Sequence, residues 1–185
     1  MASASQRRIV LLRGINLASR RRVGMADLRK LLASHGYEDV RTHLQSGNVL
    51  LTSGVPADRL QTRLARELTA GLGFDVEVIV RTRAELARVV AHDPLADAAT
   101  DPARYLVTFL AAKPAATLVR ELRAADVAPE RLAVRGREVY SWHPDGIQNS
   151  PLGKLLSKTG VSALGTNRNW RTVTKLLELA DSPAS

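Results

Sequence analysis

Two arginines stand where the sequence predicts that its last helix begins. In "TNRNWRTVTKLLEL", residues 166–179, Asn169 is a suitable N-cap, and apolar residues follow Trp170 at helical spacing. The first turn of a helix exposes N–H groups and carries about half a positive charge, so each cation there costs roughly 0.3–1 kcal/mol. Arg168 and Arg171 therefore predict that an anion lies beside this helix start.

The chemical nature of that anion is open at the level of the sequence. A phosphate, a substrate carboxylate, or an aspartate or glutamate of the same chain would each offset the two arginines. Asp27, Glu38 and Asp39 are the candidates for an internal partner. In each of these interpretations Trp170 is predicted to belong to the core rather than to stack on a ligand.

The stretch "LLRGIN" offers a second set of polar groups. Arg13 interrupts an apolar strand at the point where the strand would leave the sheet, and Asn16 supplies both a donor and an acceptor. A basic loop, residues 20–22, follows shortly afterwards. Together they predict one wall of an anion pocket, with a merely solvated arginine loop as the structural alternative.

The stretch "QSGN" supplies the third set. Gly47 provides the positive φ that a tight hairpin needs, so Ser46 and Asn48 either shape that turn or hydrogen-bond a ligand at its tip. We expect all three stretches to meet at the junction of two predicted subdomains. The predicted anion-binding residues are Arg13, Asn16, Ser46, Asn48, Arg168, Asn169 and Arg171.

Several kinds of site are missing from the sequence. There is no cysteine, which excludes disulfides, thiolate zinc sites and a cysteine nucleophile. The four histidines show no metal-ligand spacing, and no glycine-rich phosphate loop is present, so no metal and no cofactor are predicted. Ser46 lacks the Gly-x-Ser-x-Gly frame of a hydrolase nucleophile. His43 is the one group near the predicted site that could act as an acid or base near neutral pH.

The distribution of charge favours an anionic partner. The net charge is +9, and residues 1–83 carry 14 basic and 7 acidic residues against 13 and 11 in residues 84–185. A basic surface raises the local concentration of anions and the affinity for nucleic acid. An arginine-rich genome is the alternative explanation. No apolar run is long enough for a membrane span or a signal peptide, so we expect a cytoplasmic protein without membrane contact.

The elements that must position these residues follow from periodicity. In the first half an apolar strand, a helix, a hairpin over residues 39–53, a second helix and an alternating strand predict the order β-α-β-β-α-β. The second half repeats the order β-α-β-β-α. Ser150 is an N-cap there, "VSALG" is the optional last strand, and a C-terminal helix follows.

Two copies of a split βαβ unit explain this repetition most simply. We therefore predict an α+β protein built from two ferredoxin-like (βαββαβ) subdomains and a C-terminal helix. The subdomains are assigned to residues 1–83 and 84–185, and the second includes the connecting helix and the C-terminal helix.

The three polar stretches also carry a family resemblance. "LLRGIN", "MADLRKLLASHGYEDVRTHLQSGNVLL" and "TNRNWRTVTKLLEL" resemble a bacterial family known as domain of unknown function 1697, over residues 8–180. The resemblance implies a pair of ferredoxin-like subdomains and no established activity. Members usually carry a Gly-x-Gly-Arg-Ser-like segment, which here reads "GIQNSPLGK". Gly146 and Ser150 match it and the arginine is absent, so no role for that arginine carries over.

Three functions from different classes fit the sequence. The first is binding of a phosphate-bearing or nucleotide-like anion, or of nucleic acid, although the chain has few aromatic residues on which bases could stack. The second is an enzyme that acts on a small anionic substrate in a cleft between the subdomains. The third is a structural or regulatory scaffold without a ligand, in which the polar residues hold the two halves together.

Overall fold

The computed structural model describes residues 5–16 and 22–182. The chain divides into two compact units: unit 1 takes in the residues up to Ala87 and those from Leu176 onward, and unit 2 takes in Arg88–Lys175. The boundary inferred from the sequence, after residue 83, lies in the same helix as this division. Within the described ranges, no helix combines the length and the hydropathy that crossing a membrane requires.

Unit 1 has the order β-α-β-β-α-β, as predicted. Its four strands form one antiparallel sheet in the order β2-β3-β1-β4, and a further helix leaves its last strand. The elements are β1 (Gln6–Arg13), α1 (Met25–Ser34), β2 (Glu38–His43), β3 (Asn48–Ser53), α2 (Ala57–Leu72), β4 (Glu77–Thr82) and α3 (Arg83–His92).

Unit 2 repeats this topology, which confirms the predicted duplication of the ferredoxin-like pattern. Its antiparallel sheet has the order β6-β7-β5-β8, and its last strand again leads into a helix. The elements are β5 (Tyr105–Leu110), α4 (Ala116–Ala124), β6 (Arg131–Arg135), β7 (Glu138–Trp142), α5 (Pro151–Lys158), α6 (Val161–Leu164), β8 (Gly165–Asn169) and α7 (Trp170–Asp181). Helix α7 begins in unit 2, and its residues from Leu176 onward belong to unit 1.

The core of unit 1 lies between its sheet and its helices. Alternate side chains of β1, Val10 and Leu12, point to the helical face because successive residues of a strand face opposite ways. Leu60, Leu64 and Leu68 recur every fourth residue on α2 and meet them with no exposed surface. Burial of each such leucine contributes about 1.5–3 kcal/mol, which fixes α2 on the sheet.

In unit 2, aromatic residues are concentrated on the face of the sheet that points away from its helices α4 and α5. Tyr105 and Phe109 alternate on β5, and Tyr140 and Trp142 lie opposite on β7. All four are buried, with at most 7% of each residue exposed. The sequence led us to expect too few sheet aromatics for base stacking. The structure instead places four of them together and keeps them from solvent, so bases cannot stack on them in this state.

The expected strand at "VSALG" is wrong. Val161–Leu164 forms the short helix α6, and the last strand is the polar segment Gly165–Asn169. Its backbone pairs with β5 so closely that a Cβ on Gly165 would lie 2.3 Å from the carbonyl oxygen of Phe109. Because backbone pairing holds this strand, its side chains do not show the apolar pattern on which the prediction relied.

Candidate anion-binding site

The polar residues of the "QSGN" hairpin bond to one another. Asn48 is fully buried, and its Nδ2 donates hydrogen bonds to the His43 carbonyl and to Ser46 Oγ, both at 2.9 Å. Gly47 has a φ of 76°, and a Cβ there would lie 2.8 Å from Leu12 Cβ. The conformation of the hairpin therefore explains why serine, glycine and asparagine occur at residues 46–48.

Asn16 joins two loops of unit 1. Its Oδ1 accepts a hydrogen bond from the Val23 amide at 2.8 Å, and its Nδ2 donates to the carbonyls of Val23 at 3.2 Å and Gln45 at 2.7 Å. These bonds use both amide hydrogens of the side chain. Arg20 and Arg21, the first two arginines of the predicted basic loop, lie outside the described residues.

Arg13 has a carboxylate partner within unit 1. It lies opposite Glu77 in the β1–β4 register, and its Nη1 stands 2.5 Å from Glu77 Oε2. Both side chains keep exposed surface, so this ion pair contributes at most about 1 kcal/mol. The strand end at which Arg13 stands thus supplies its own counter-ion.

Arg168 belongs to strand β8, not to the first helical turn in which the sequence analysis placed it. It lies opposite Val107, and 8% of the residue is exposed. Its Nη1 donates 2.7 Å hydrogen bonds to Thr166 Oγ1 and to the Asn167 carbonyl. Burial lowers the pKa of the guanidinium to about 10, so Arg168 keeps its charge at neutral pH.

Asn169 and Arg171 form the start of helix α7. Asn169 caps the helix as predicted, because its Oδ1 accepts a 2.9 Å hydrogen bond from the Thr172 amide. The amide of Arg171 donates to the Pro102 carbonyl at 3.3 Å. The Arg171 side chain is exposed, and within residues 5–16 and 22–182 it forms neither an ion pair nor a hydrogen bond. The first turn of α7 contains no acidic residue.

Trp170 lies beside this helix start. Its ring stacks on that of Tyr105, with a centroid separation of 4.7 Å and an interplanar angle of 20°. The hydroxyl of Tyr105 in turn donates a 2.8 Å hydrogen bond to Asp93 Oδ1. Trp170 is half-buried and packs within unit 2, in keeping with the structural role expected for it.

The equivalent helix start in unit 1 carries its own carboxylate. Thr82 ends β4 and caps α3, with its Oγ1 accepting a 3.1 Å hydrogen bond from the Glu85 amide. Glu85 Oε2 accepts a 2.8 Å hydrogen bond from the Thr82 amide, which completes a capping box. Arg81 precedes Thr82 as Arg168 precedes Asn169, and both arginines are buried. The two junctions therefore share a buried arginine followed by a capping residue, and they differ in their first turns.

At the start of helix α5, the carboxylate comes from a residue that is distant in the sequence. Ser150 caps α5 as predicted, and Glu130 Oε2 accepts a 2.7 Å hydrogen bond from the Leu152 amide. His143 Nδ1 lies 3.1 Å from the other carboxylate oxygen, and Ser141 Oγ lies 3.0 Å from its Nε2. Burial alone would raise the pKa of Glu130, but the hydrogen bonds from Ser150, Leu152 and His143 lower it overall.

This buried network was missed by the sequence analysis. Neither His143 nor Glu130 is among the residues that the sequence singled out. The N-cap at Ser150 was the one visible signal. Nothing in the sequence between these residues shows that the carboxylate of Glu130, which precedes the β6–β7 hairpin, contacts Ser150, which follows it.

Comparisons with known proteins identify the family of the chain and a structure with a similar fold. The profile of a family described as a protein of unknown function, DUF1697, matches residues 6–140. The chain belongs to this family. The structure of the conserved bacterial protein SP0830 from Streptococcus pneumoniae is similar, with a TM-score of 0.81 and 22% sequence identity over 96% of this chain and 100% of that one. At this identity the similarity concerns the fold alone. No curated protein matches the chain.

Proposed function

We propose that this DUF1697 protein binds a phosphate-bearing or nucleotide-like anion, and that the start of helix α7 is a point of contact. One observation carries the proposal: the first turn of α7 holds the cation Arg171 without an acidic residue, whereas the equivalent turn of α3 holds Glu85 beside its cation Arg83. A cation at the positive end of a helix is unfavourable unless an anion accompanies it.

The neighbouring residues support this assignment. The side chain of Asn169 accepts the hydrogen bond of the Thr172 amide, but it is neutral. The positive charge at the start of α7 is therefore not offset by the cap. The buried guanidinium of Arg168, one residue before the cap, adds a positive charge in a region of low dielectric, where Coulomb interactions are strong. An incoming phosphate would therefore meet the exposed charge of Arg171 and the helix dipole, with the buried charge of Arg168 adding to the potential from behind the cap.

Arg13, Asn16, Ser46 and Asn48 are weaker members of the proposed set. Each has a partner within unit 1 that accounts for its side chain. We therefore propose Arg171 as the primary contact, with Arg168 and Asn169 positioning the start of α7 and the other four shaping the loops of unit 1.

Calorimetric titration with inorganic phosphate and with ATP tests the proposal. The wild-type protein should bind at least one of them saturably, and Arg171→Gln should weaken that binding about 10-fold. Arg120→Gln, an exposed arginine on α4 of the same unit, is the matched control and should leave the affinity within about 2-fold. Equal losses in both variants would reduce the effect to net charge and would refute a site at α7.

A nucleic acid would present the same phosphate groups as part of a larger ligand. Affinity carried by phosphate contacts falls steeply between 50 and 200 mM salt. An oligonucleotide should therefore lose most of its binding over this range. Because the four sheet aromatics are buried, its affinity should also change little with base sequence. Salt-independent or strongly base-specific binding would contradict this extension.

A further inference from the structure

A cavity of about 260 Å³ lies in unit 2 between the loop that precedes β6 and the loop that precedes α5. Apolar side chains form part of its walls, among them Val127, Pro129 and Pro151. The predicted anion-binding residues do not line it, and neither does Arg171, on which the proposed function rests. A ligand of this cavity would therefore be independent of the anion proposed at the start of α7.

A buried carboxylate stands at the inner end of this cavity. Glu130 lines the cavity with only 7% of the residue exposed. Its Oε1 lies within hydrogen-bond distance of Ser150 Oγ and His143 Nδ1. Within the described part of the chain its Oε2 accepts one hydrogen bond, from the Leu152 amide at 2.7 Å. An ionised carboxylate offers about four acceptor sites, so Oε2 can accept a further donor from the cavity.

A second carboxylate, that of the exposed residue Asp145, also lines the cavity. Within residues 5–16 and 22–182 this side chain forms neither an ion pair nor a hydrogen bond. Arg104 is a nearby cation, because it donates to the Pro144 carbonyl, but its Nε lies 3.5 Å from Asp101 Oδ2 and it does not line the cavity. Asp145 therefore presents an unshared negative charge.

The charge of the cavity is opposite in sign to that of the chain. The net charge is +9, yet the described residues that line the cavity include two carboxylates and no lysine or arginine. Divalent metal ions take more protein ligands than two carboxylates supply, and no group of three His, Cys, Asp or Glu side chains in the described ranges could hold one. An organic cation, which can also use the apolar walls, fits this lining better.

We propose that this cavity binds a primary ammonium group carried on a short apolar chain. An ammonium group has three N–H donors, for which Asp145 and the Oε2 atom of Glu130 offer acceptors, and the chain would lie along the apolar walls. The volume is several times the ~30 Å³ share of one water molecule, so a chain of about four carbon atoms fits. The group comes either from a free amine or from a lysine side chain, since both present the same chemistry.

Titration of the full chain with n-butylammonium chloride at pH 7 and low ionic strength, followed by the amide resonances of residues 126–128 and 145–150, tests this proposal. These resonances should shift saturably. n-Butanol has the same chain without the charge, and butyrate reverses the charge; each should bind at least about 5-fold more weakly. Nα-acetyl-lysine amide is titrated in parallel: tighter binding than that of n-butylammonium assigns a lysine side chain, and equal or weaker binding assigns a free amine.

Matched variants separate the cavity from the general charge of the surface. Asp145→Lys should weaken n-butylammonium binding about 10-fold, and Asp97→Lys, at another exposed aspartate of unit 2, should weaken it less than about 2-fold. Arg171→Gln should leave this binding unchanged whether or not the site at α7 exists, so the two proposals fail separately. Equal affinities for n-butylammonium and n-butanol, the same loss in both lysine variants, or no saturable shift would overturn the proposal.

Discussion

Helices α3 and α7 follow the last strands of their units in the same way, yet the first turn of α3 balances Arg83 with Glu85 and that of α7 holds Arg171 alone. Arg81 and Thr82 precede α3, and Arg168 and Asn169 precede α7; in both cases the arginine is buried and the next residue caps the helix. The first turn of α3 contains an acidic residue and that of α7 contains none.

This difference separates the features of the junction that the fold requires from those that it does not require. The buried arginine and the capping residue occur in both units, so they are explained by what a strand-to-helix connection requires. The charge of the first turn is not shared, and α1 and α2 also place an aspartate there. Helix α4 lacks an acidic residue in its first turn, but it also lacks a cation there. Among these helix starts, α7 is distinguished by a first-turn cation, Arg171, with no acidic residue beside it, and this distinction motivates the proposed function.

The largest expected effect tests what the two junctions share. Arg81→Ala and Arg168→Ala should each lower the free energy of unfolding by about 2–4 kcal/mol, because each leaves a buried void and an unsatisfied acceptor. Val80 loses a hydrogen bond to its carbonyl in the first variant, and Asn167 loses one in the second. Urea denaturation measures both values. A loss below about 1 kcal/mol in either one would break the equivalence of the junctions.

The second prediction concerns α5, whose start is neutralised by Glu130. Glu130→Gln should lower the free energy of unfolding by about 1–3 kcal/mol at pH 7, because the buried network loses its ionised acceptor. The pKa of Glu130 is lowered in the folded protein. Its stabilisation is therefore complete above the ordinary value of 4.5 and disappears as the pH falls through the folded pKa.

Urea denaturation at several pH values measures this dependence. The difference between wild type and Glu130→Gln should shrink steadily below pH 4.5. Glu121→Gln, an exposed residue of α4, is the matched control and should show no such trend. A difference that stays constant down to pH 3 would mean that the charge of Glu130 contributes nothing to this helix start.

The third prediction converts the α7 junction toward the α3 type. Arg171→Glu should raise the free energy of unfolding by about 0.6–2 kcal/mol in anion-free buffer, since an unfavourable interaction with the helix dipole becomes a favourable one. The same variant should lose any stabilisation by added phosphate. Thermal denaturation with and without phosphate, at constant ionic strength, measures both effects. Arg120→Glu should show neither of them, and a destabilised Arg171→Glu would contradict the electrostatic comparison.

Much of the fold could be predicted because its helices and strands carry clear periodicity. Leu60, Leu64 and Leu68 mark α2 by their spacing, and the pair Thr82 and Glu85 marks the start of α3. The polar strand β8 could not be predicted, because backbone pairing with β5 rather than side-chain burial forms it. Its omission also shifted Arg168 from a strand into a helix.

The candidate site was less accessible to the sequence for a related reason. Polar residues were selected for their chemistry, but Asn16 and Asn48 use that chemistry on loops that only the folded chain brings together. That the predicted residues meet at the junction of the two units stays a prediction.

The most direct test of the central claim is a phosphate titration followed by the backbone amide resonances of residues 169–173 in the wild-type protein and in Arg171→Gln. The wild-type amides of Arg171 and Thr172 should shift saturably, and those of Arg171→Gln should shift far less at the same phosphate concentration. The corresponding amides at the start of α3, beside Glu85, should not respond in either protein. Unchanged amides at α7 in the wild type, with phosphate bound elsewhere or nowhere, would contradict the account.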